Sequence, residues 1–192
     1  MLWLSDAEQA EHWGRDWGTM RMFQWQWLFA GLCLVLTGCA STGPSVQTDG
    51  LTVKNLKVGL VCWNNGVPTI CTEATEIKIT NSGLCVFNKR TVPCTWYGFA
   101  FDYSTGEKSA KIQCQVESSA PVNWGNPREA LKENATTSSY EIELRGDQHY
   151  FINPQYSAAG SARLGTVSDV QTCSYKGTKL FQIELALEYP TP

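Results

Sequence analysis

The sequence predicts an all-β protein: a disulfide-braced antiparallel β-sandwich or partly open barrel with one short helix. Three observations lead to this fold class. Short segments alternate apolar and polar residues with the period of a half-buried strand. Turn residues separate these segments at regular intervals. Six cysteines lie in the part of the chain that follows residue 50. Eight or so short strands spaced in this way favour a sandwich or barrel.

The C-terminal segment gives the clearest strand pattern. Its apolar residues occupy alternate positions and would share one face: Phe181, Ile183, Leu185, Leu187 and Tyr189. The residues between them include Gln182, Glu184 and Glu188, which would face solvent. The preceding segment VQTCSYKGTK supplies a partner strand and a Lys176-Gly177 turn, so the sequence predicts a C-terminal hairpin.

Other segments alternate in the same way. Their apolar residues are Leu56, Val58, Leu60 and Cys62; Ile77 and Ile79; and Tyr140, Ile142 and Leu144. The segment TWYGFAFDY places Tyr97, Phe99, Phe101 and Tyr103 on one face. The turn at 104–106 that follows predicts a hairpin between this strand and the segment AKIQCQVE.

One segment, NPREALKENA at 126–135, breaks the strand pattern. Asn126 suits a helix N-cap, and Pro127 suits the first helical position. Glu129 together with Lys132 or Glu133 would give such a helix a polar surface. We therefore predict one short helix between strands.

The N-terminal region contains an apolar run that ends in a cysteine. Arg21 precedes the mostly apolar residues 23–36, which is the layout of a secretory signal peptide. A run of about fourteen residues is too short for a hydrocarbon core that needs roughly twenty, so a transmembrane anchor is the weaker interpretation. The residues Leu36-Thr37-Gly38-Cys39 resemble the lipobox of bacterial lipoproteins. The resemblance implies that Cys39 carries lipid and begins the mature chain. It also implies the outer membrane, because Ala40 rather than Asp follows the cysteine.

Residues 1–19 do not fit a signal peptide, because they carry four acidic residues and only Arg15 as a basic one. A translation start at Met20 would leave an ordinary short lipoprotein signal. The alternative is a genuine acidic extension that is removed with the signal. In both cases we assign residues 1–38 to the signal peptide, 39–50 to a lipidated tether and 51–192 to a single β domain.

The mature chain from Cys39 has 154 residues, which is enough for one domain with a sizeable core. It contains 13 Lys and Arg and 14 Asp and Glu, so its net charge is close to zero. No strongly basic face is implied, and we expect no nucleic-acid partner.

Cysteine usage agrees with export. Six cysteines remain once Cys33 of the signal and Cys39 of the lipobox are set aside, and six could pair in fifteen ways. CWNNGVPTIC and CVFNKRTVPC share the spacing C-x8-C. If each were a hairpin with a four-residue loop, its cysteines would lie opposite each other. We therefore predict the disulfides Cys62–Cys71 and Cys85–Cys94, which leaves Cys114–Cys173.

The sequence offers little for metal binding or catalysis. No two mature cysteines are closer than nine positions, whereas zinc ligands are usually two to four residues apart, so we expect no metal site and no cofactor. His149 is the only mature histidine, and a surface or packed role is the simpler one. Glu141 and Glu143 would share the solvated face of a strand. No nucleophile elbow, zinc-protease motif or phosphate loop is present, so we expect no enzymatic activity.

Aromatic residues beside the C-x8-C segments are the best binding candidates. Trp63 follows Cys62, and Trp96 and Tyr97 follow Cys94, so rings would lie near rigid hairpin tips, where aromatic residues often anchor interfaces. The candidate set is Trp63, Asn65, Lys89, Arg90, Trp96 and Tyr97. The competing interpretation is that the rings pack over the disulfides as core.

These patterns together suggest an outer-membrane lipoprotein, anchored through lipid on Cys39, whose domain faces the periplasm or cell surface and binds an envelope protein or polymer. One alternative is an inhibitor or immunity lipoprotein directed against a cell-wall hydrolase or secreted toxin. The other is a hydrolase with a site that the sequence does not reveal.

Overall fold

The computed structural model describes residues 45–158 and 165–190. This part of the chain is all-β, as predicted, and contains no helix that could span a membrane. Its strands are β1 (Val46–Thr48), β2 (Leu51–Asn64), β3 (Val67–Glu73), β4 (Glu76–Lys78), β5 (Gly83–Phe87), β6 (Arg90–Thr105), β7 (Ser109–Gly125), β8 (Ala130–Arg145), β9 (Tyr150–Ala158), β10 (Thr166–Tyr175) and β11 (Thr178–Glu188). The predicted signal segment and Cys39 lie outside the described residues.

The alternation read from the sequence matches the observed burial. In β6 the aromatic residues Tyr97, Phe99, Phe101 and Tyr103 are all buried. In β11 and the residue after it, the same holds for Phe181, Ile183, Leu185, Leu187 and Tyr189. The C-terminal hairpin is confirmed, because β10 and β11 pair antiparallel on either side of Lys176 and Gly177.

The strands form one curled sheet that closes partway into an open half-barrel. The main path runs β1-β2-β6-β9-β7-β10-β11-β4, and β3, β5 and β8 pair with β2, β6 and β7 respectively. The pairing of β11 with β4 is parallel, whereas β2, β6 and β9 pair antiparallel. Most of the buried apolar side chains form one large cluster.

The predicted hairpin between β6 and the following strand is wrong, because β9 lies between β6 and β7 in the sheet. β9 pairs with β6 along its whole length, from Tyr150 opposite Asp102 to Ala158 opposite Cys94. Phe101 and Phe151 face each other in this pairing, with ring centroids 5.4 Å apart. The turn at 104–106 reverses the chain, but aromatic packing between distant segments decides which strands pair.

β7 changes neighbours along its length. Residues 112–118 pair with β10, whereas Trp124 and Gly125 pair with β9. The pairing of β7 with β8 shifts register between Glu117 and Val122, which is an irregularity of the β-bulge type. Because bulges bend a strand and increase its twist, this irregularity accompanies the change of β7 from pairing with β10 to pairing with β9.

The short helix predicted at 126–135 does not form, and β8 begins at Ala130 within that segment. Asn126 does cap a turn: its Oδ1 accepts hydrogen bonds from the backbone N–H groups of Arg128 (3.0 Å) and Glu129 (3.2 Å). The chain then pairs with β7, starting with Ala130 opposite Gly125. Pairing with a long neighbouring strand therefore overrides the local helix signal.

β1 lies inside the segment 39–50 that the sequence analysis assigns to a tether. Val46, Gln47 and Thr48 pair antiparallel with the start of β2. The last part of that segment therefore belongs to the sheet.

Candidate binding surface and a buried polar cluster

All three predicted disulfides are present, but the two hairpin disulfides have a different geometry from the one expected. Cys62–Cys71 and Cys85–Cys94 join residues with Cα atoms 5.7 Å and 5.9 Å apart. Thr69 lies directly opposite Cys62, and Val92 lies opposite Cys85, so each disulfide bridges a diagonal pair. Cys114 and Cys173 do lie directly opposite each other, on β7 and β10.

The diagonal geometry follows from the turns, which have two residues rather than the predicted four. Asn65-Gly66 connects β2 to β3, and Asn88-Lys89 connects β5 to β6. All four residues have positive φ angles, between 49° and 80°. Tight hairpin turns with two left-handed residues match the twist of the strands they join, and Asn and Gly adopt that conformation most readily.

The two disulfide-closed hairpins bring Trp63 and Trp96 together. Their ring centroids are 5.3 Å apart, and the rings meet edge to face at 73°. Trp96 makes a second edge-to-face contact with Tyr156 of β9, which lies directly opposite it, at 5.0 Å. An aromatic row therefore crosses β2, β6 and β9 on the face of β6 that carries Cys94 and Trp96, here called the outer face.

Hydrogen bonds and glycines hold this aromatic row in place. Trp96 Nε1 donates to the carbonyl oxygen of Leu84 at 3.3 Å, and the Tyr156 hydroxyl donates to the carbonyl oxygen of Val86. Gly125 lies against the Tyr156 ring so closely that an added Cβ would come within 2.0 Å of Cζ. The indole of Trp96 and the phenol of Tyr156 are therefore fixed before any partner arrives.

This end of the sheet carries exposed apolar side chains on both faces: Trp63 lies on the outer face, whereas Leu84 and Val86 lie opposite Pro93 and Thr91 and so point to the other face. Trp63 is 40% exposed, Leu84 69% and Val86 41%. We call this end of the sheet the tip surface. It is made of Trp63, Leu84, Val86 and Trp96, the turn residues Asn65 and Lys89, and Arg90 at the start of β6. Asn65, Lys89 and Arg90 are exposed, and Trp96 is half-buried.

Tyr97 does not belong to the tip surface, although it follows Trp96 directly. Successive side chains of a strand point to opposite faces, and Tyr97 is completely buried in the main core. Burial raises the pKa of its hydroxyl well above the usual range. Five of the six binding candidates therefore lie at the tip, and Tyr97 supports the sheet from the other side.

The structure also contains a buried polar cluster that the sequence analysis missed. Gln171 Nε2 donates to Gln155 Oε1 (2.9 Å) and to Asp169 Oδ2 (3.1 Å). The Tyr140 hydroxyl accepts bonds from Gln155 Nε2 (2.7 Å) and Asn153 Nδ2 (2.9 Å) and donates to Gln171 Oε1 (3.3 Å). Side chains from β8, β9 and β10 are thereby linked across the inside of the half-barrel.

Asp169 is the electrostatically unusual member of this cluster. Its side chain is fully buried, and the ion pairs found among the described residues involve other carboxylates. Desolvation raises the pKa of this carboxyl to about 6, although the hydrogen bond from Gln171 opposes the shift. The sequence does hold a signal for this cluster: Asp169 and Gln171 occupy the inward positions of β10, between Val167 and Cys173, where apolar residues are expected.

Neither His149 nor the Glu141/Glu143 pair, the residues considered above for catalysis, forms a catalytic site. His149 is exposed at the start of β9, and Glu141 pairs with Lys111 at 2.8 Å on the solvated face of β8. Within residues 45–158 and 165–190 no three His, Cys, Asp or Glu side chains come together as metal ligands would.

No protein-family model matches the sequence, and a search of curated proteins also gives no match.

Proposed function

We propose that this protein is a non-enzymatic lipoprotein of the bacterial outer membrane that binds an envelope protein or polymer through the tip surface. The observation that carries the proposal is the contact of Trp63 with Trp96, which joins two hairpins that are each closed by a disulfide. Rigid, partly exposed aromatic side chains lose little conformational entropy on binding and are typical interface anchors.

The charges at the tip surface complement the aromatic row. Lys89 and Arg90 are exposed at the β5–β6 turn, while the nearby Asn88 side chain is bonded to Glu133 at 2.7 Å. Charged residues around an apolar centre raise association rates and orient the partner more than they raise affinity. A partner with an apolar contact region bordered by acidic groups fits this arrangement best.

The compartment is proposed from two features of the chain. Three disulfides form and persist in oxidising compartments such as the bacterial periplasm. The sequence LTGC at 36–39, which precedes the domain, resembles a lipobox. Lipid on Cys39 would hold the domain at the membrane surface, where envelope partners are concentrated.

The anchor is tested by metabolic labelling with palmitate in the presence and absence of globomycin, which blocks the lipoprotein signal peptidase. Wild type should incorporate label, and Cys39→Ala should lose it. Cys33→Ala is the matched control, because this cysteine lies in the predicted signal peptide, and it should keep the label. Equal labelling of the wild type and Cys39→Ala would contradict the proposal.

The partner is identified by affinity purification of the labelled protein from solubilised envelopes. An abundant structural component that is lost with Trp63→Ala supports the proposal. A single cell-wall hydrolase or toxin, held one to one and inactive while bound, would instead establish the inhibitor function.

A further inference from the structure

The outer face carries a second feature, at the end of β6 opposite to the tip surface. A cleft of about 290 Å³ opens there between β2, β6 and the start of β9. Its lining includes Thr52, Lys54, Asp102, Ser104, His149 and Tyr150. The cleft is at the lower end of the size range for small-ligand sites.

Three of these residues form a row across neighbouring strands. Lys54 of β2 lies directly opposite Asp102 of β6, which in turn lies opposite Tyr150 of β9. Adjacent strands are about 4.8 Å apart, so an ammonium, a carboxylate and an aromatic ring follow one another at the spacing of a small ring-shaped ligand. Tyr150 is 51% exposed, which leaves its ring accessible.

An irregularity in β2 fixes the central carboxylate. The register of β2 with β6 shifts between Lys54 and Lys57, and Asn55 there adopts a left-handed conformation with φ of 53°. As a result Asn55 Nδ2 donates to Asp102 Oδ2 at 2.7 Å. Bulges of this kind often redirect side chains next to binding sites. One hydrogen bond uses only part of the capacity of a carboxylate, which can accept about four.

We propose that this cleft binds a saccharide, with the sugar ring stacked on Tyr150 and its hydroxyl groups bonded to Asp102 and Lys54. A sugar hydroxyl both donates and accepts hydrogen bonds, so neighbouring hydroxyls satisfy a carboxylate and an ammonium side by side. The apolar face of the sugar ring is covered by the aromatic ring, which has a large surface and a polar edge.

Two other classes of ligand fit the cleft less well. A phosphate would meet the Asp102 carboxylate at the centre of the row, and like charges at such a distance repel each other. An extended peptide that adds to a sheet needs a free strand edge. β6 pairs with β2 on one side and β9 on the other along the cleft, so it offers no such edge.

The proposal is tested by saturation-transfer difference NMR with the full-length protein in detergent and with chitotriose, maltotriose and inorganic phosphate as separate probes. At least one saccharide should receive saturation. Tyr150→Ala should lower its affinity at least tenfold, whereas Tyr150→Phe keeps the ring and should change affinity less than threefold. The matched control is Lys78→Ala, because Lys78 is exposed on β4, away from the cleft, and it should bind as the wild type does.

Absence of transfer to both saccharides, binding of phosphate alone, or equal saccharide binding by the wild type and Tyr150→Ala would each overturn the proposal. The measurement needs neither the lipid on Cys39 nor the tip surface. A negative result for the saccharide site would therefore not affect the function proposed for the tip surface. A negative result at the tip surface would likewise not affect the saccharide site.

Discussion

Asp169 of β10 lies directly opposite Ser118 of β7, and neither Asp169 Oδ1 nor Ser118 Oγ has a hydrogen-bond partner among the described residues, although both atoms are buried. The Tyr97 hydroxyl and the Trp124 indole are buried as well, and the Trp124 side chain partly offsets the rise that burial causes in the pKa of Tyr97. The Asp169 charge contributes to the raised pKa of Tyr97, as does that of Tyr189, so these groups share one interior region. A carboxylate retained there opposes folding whenever it is ionised.

The burial of the Asp169 carboxyl predicts how the free energy of unfolding depends on pH. The pKa of Asp169 is about 6 in the folded state and about 3.9 in an unfolded chain, so the folded state binds the proton more tightly. The free energy of unfolding should therefore fall as pH rises from about 4 to about 6. Asp169→Asn removes this penalty and should stabilise the protein by up to about 3 kcal/mol at pH 7.5, with no gain at pH 3.5.

Urea denaturation at the two pH values measures this difference. Glu143→Gln, on the exposed face of β8, is the control and should change stability by less than about 0.5 kcal/mol at either pH. A destabilised Asp169→Asn protein at pH 7.5 would show that the carboxylate is compensated in the fold, contrary to this account.

Two glycines, Gly125 at the end of β7 and Gly106 in the turn between β6 and β7, should respond differently to alanine. At Gly125 a Cβ would lie 2.0 Å from Tyr156 Cζ, so Gly125→Ala must displace the ring that anchors the aromatic row. We expect a loss of about 3 kcal/mol, at the upper end for overpacked sites. Gly106→Ala meets no atom within 4 Å and should be nearly neutral. Thermal unfolding followed by circular dichroism compares the two variants, and equal melting temperatures would disprove the packing argument.

The disulfides should differ in their contribution to stability. In the chain-entropy model a disulfide stabilises more when it closes a longer loop. Replacing Cys114 and Cys173, which are 59 residues apart, by alanine should cost about 4 kcal/mol. Replacing Cys62 and Cys71, which are 9 apart, should cost about 2.5 kcal/mol. Guanidinium titrations of the two double variants give the order, and a larger loss for the shorter loop would contradict it.

If the tip surface binds the partner, a substitution there should weaken binding much more than it destabilises the fold. Trp63 is partly exposed and contacts Trp96 through its edge, so Trp63→Ala should cost no more than about 1.5 kcal/mol of stability. Capture of the envelope partner should nevertheless fall by at least tenfold, as expected for an interface anchor. Val67→Ala is the control, because Val67 is 60% exposed on the same hairpin but its strand partner is Asn64 rather than Trp63. Similar capture by the two variants would exclude Trp63 as the anchor.

Local patterns in the sequence predicted the features of the fold that depend on residues close together in the chain. Alternation placed the aromatic side chains of β6 and the apolar residues of β11 in the core. Cysteine spacing predicted the two hairpin disulfides, and the third followed because only Cys114 and Cys173 remained. The same rule of alternation, applied to Trp96 and Tyr97, would have separated the half-buried ring on the outer face from the buried ring in the core. The grouping of both as binding residues followed their nearness to Cys94 instead.

What the sequence could not predict depends on contacts between distant segments. The pairing of β9 with β6 arises from residues about fifty positions apart, such as Phe101 and Phe151. β8 replaces the predicted helix because β7 offers it a long partner. The buried cluster joins Tyr140, Gln155 and Asp169 from three strands, so no short motif marks it.

Site-specific photocrosslinking in intact cells tests the central claim, that the tip surface is where this protein meets its partner. A photoreactive amino acid would be placed at Asn65 and Arg90, which are exposed members of the tip surface, and at Gln182 and Glu184, which are exposed on β11 as controls. The account predicts one discrete adduct from both tip positions, its loss with Trp63→Ala, and none from β11. Adducts from β11 alone, or tip adducts that persist without Trp63, would contradict it.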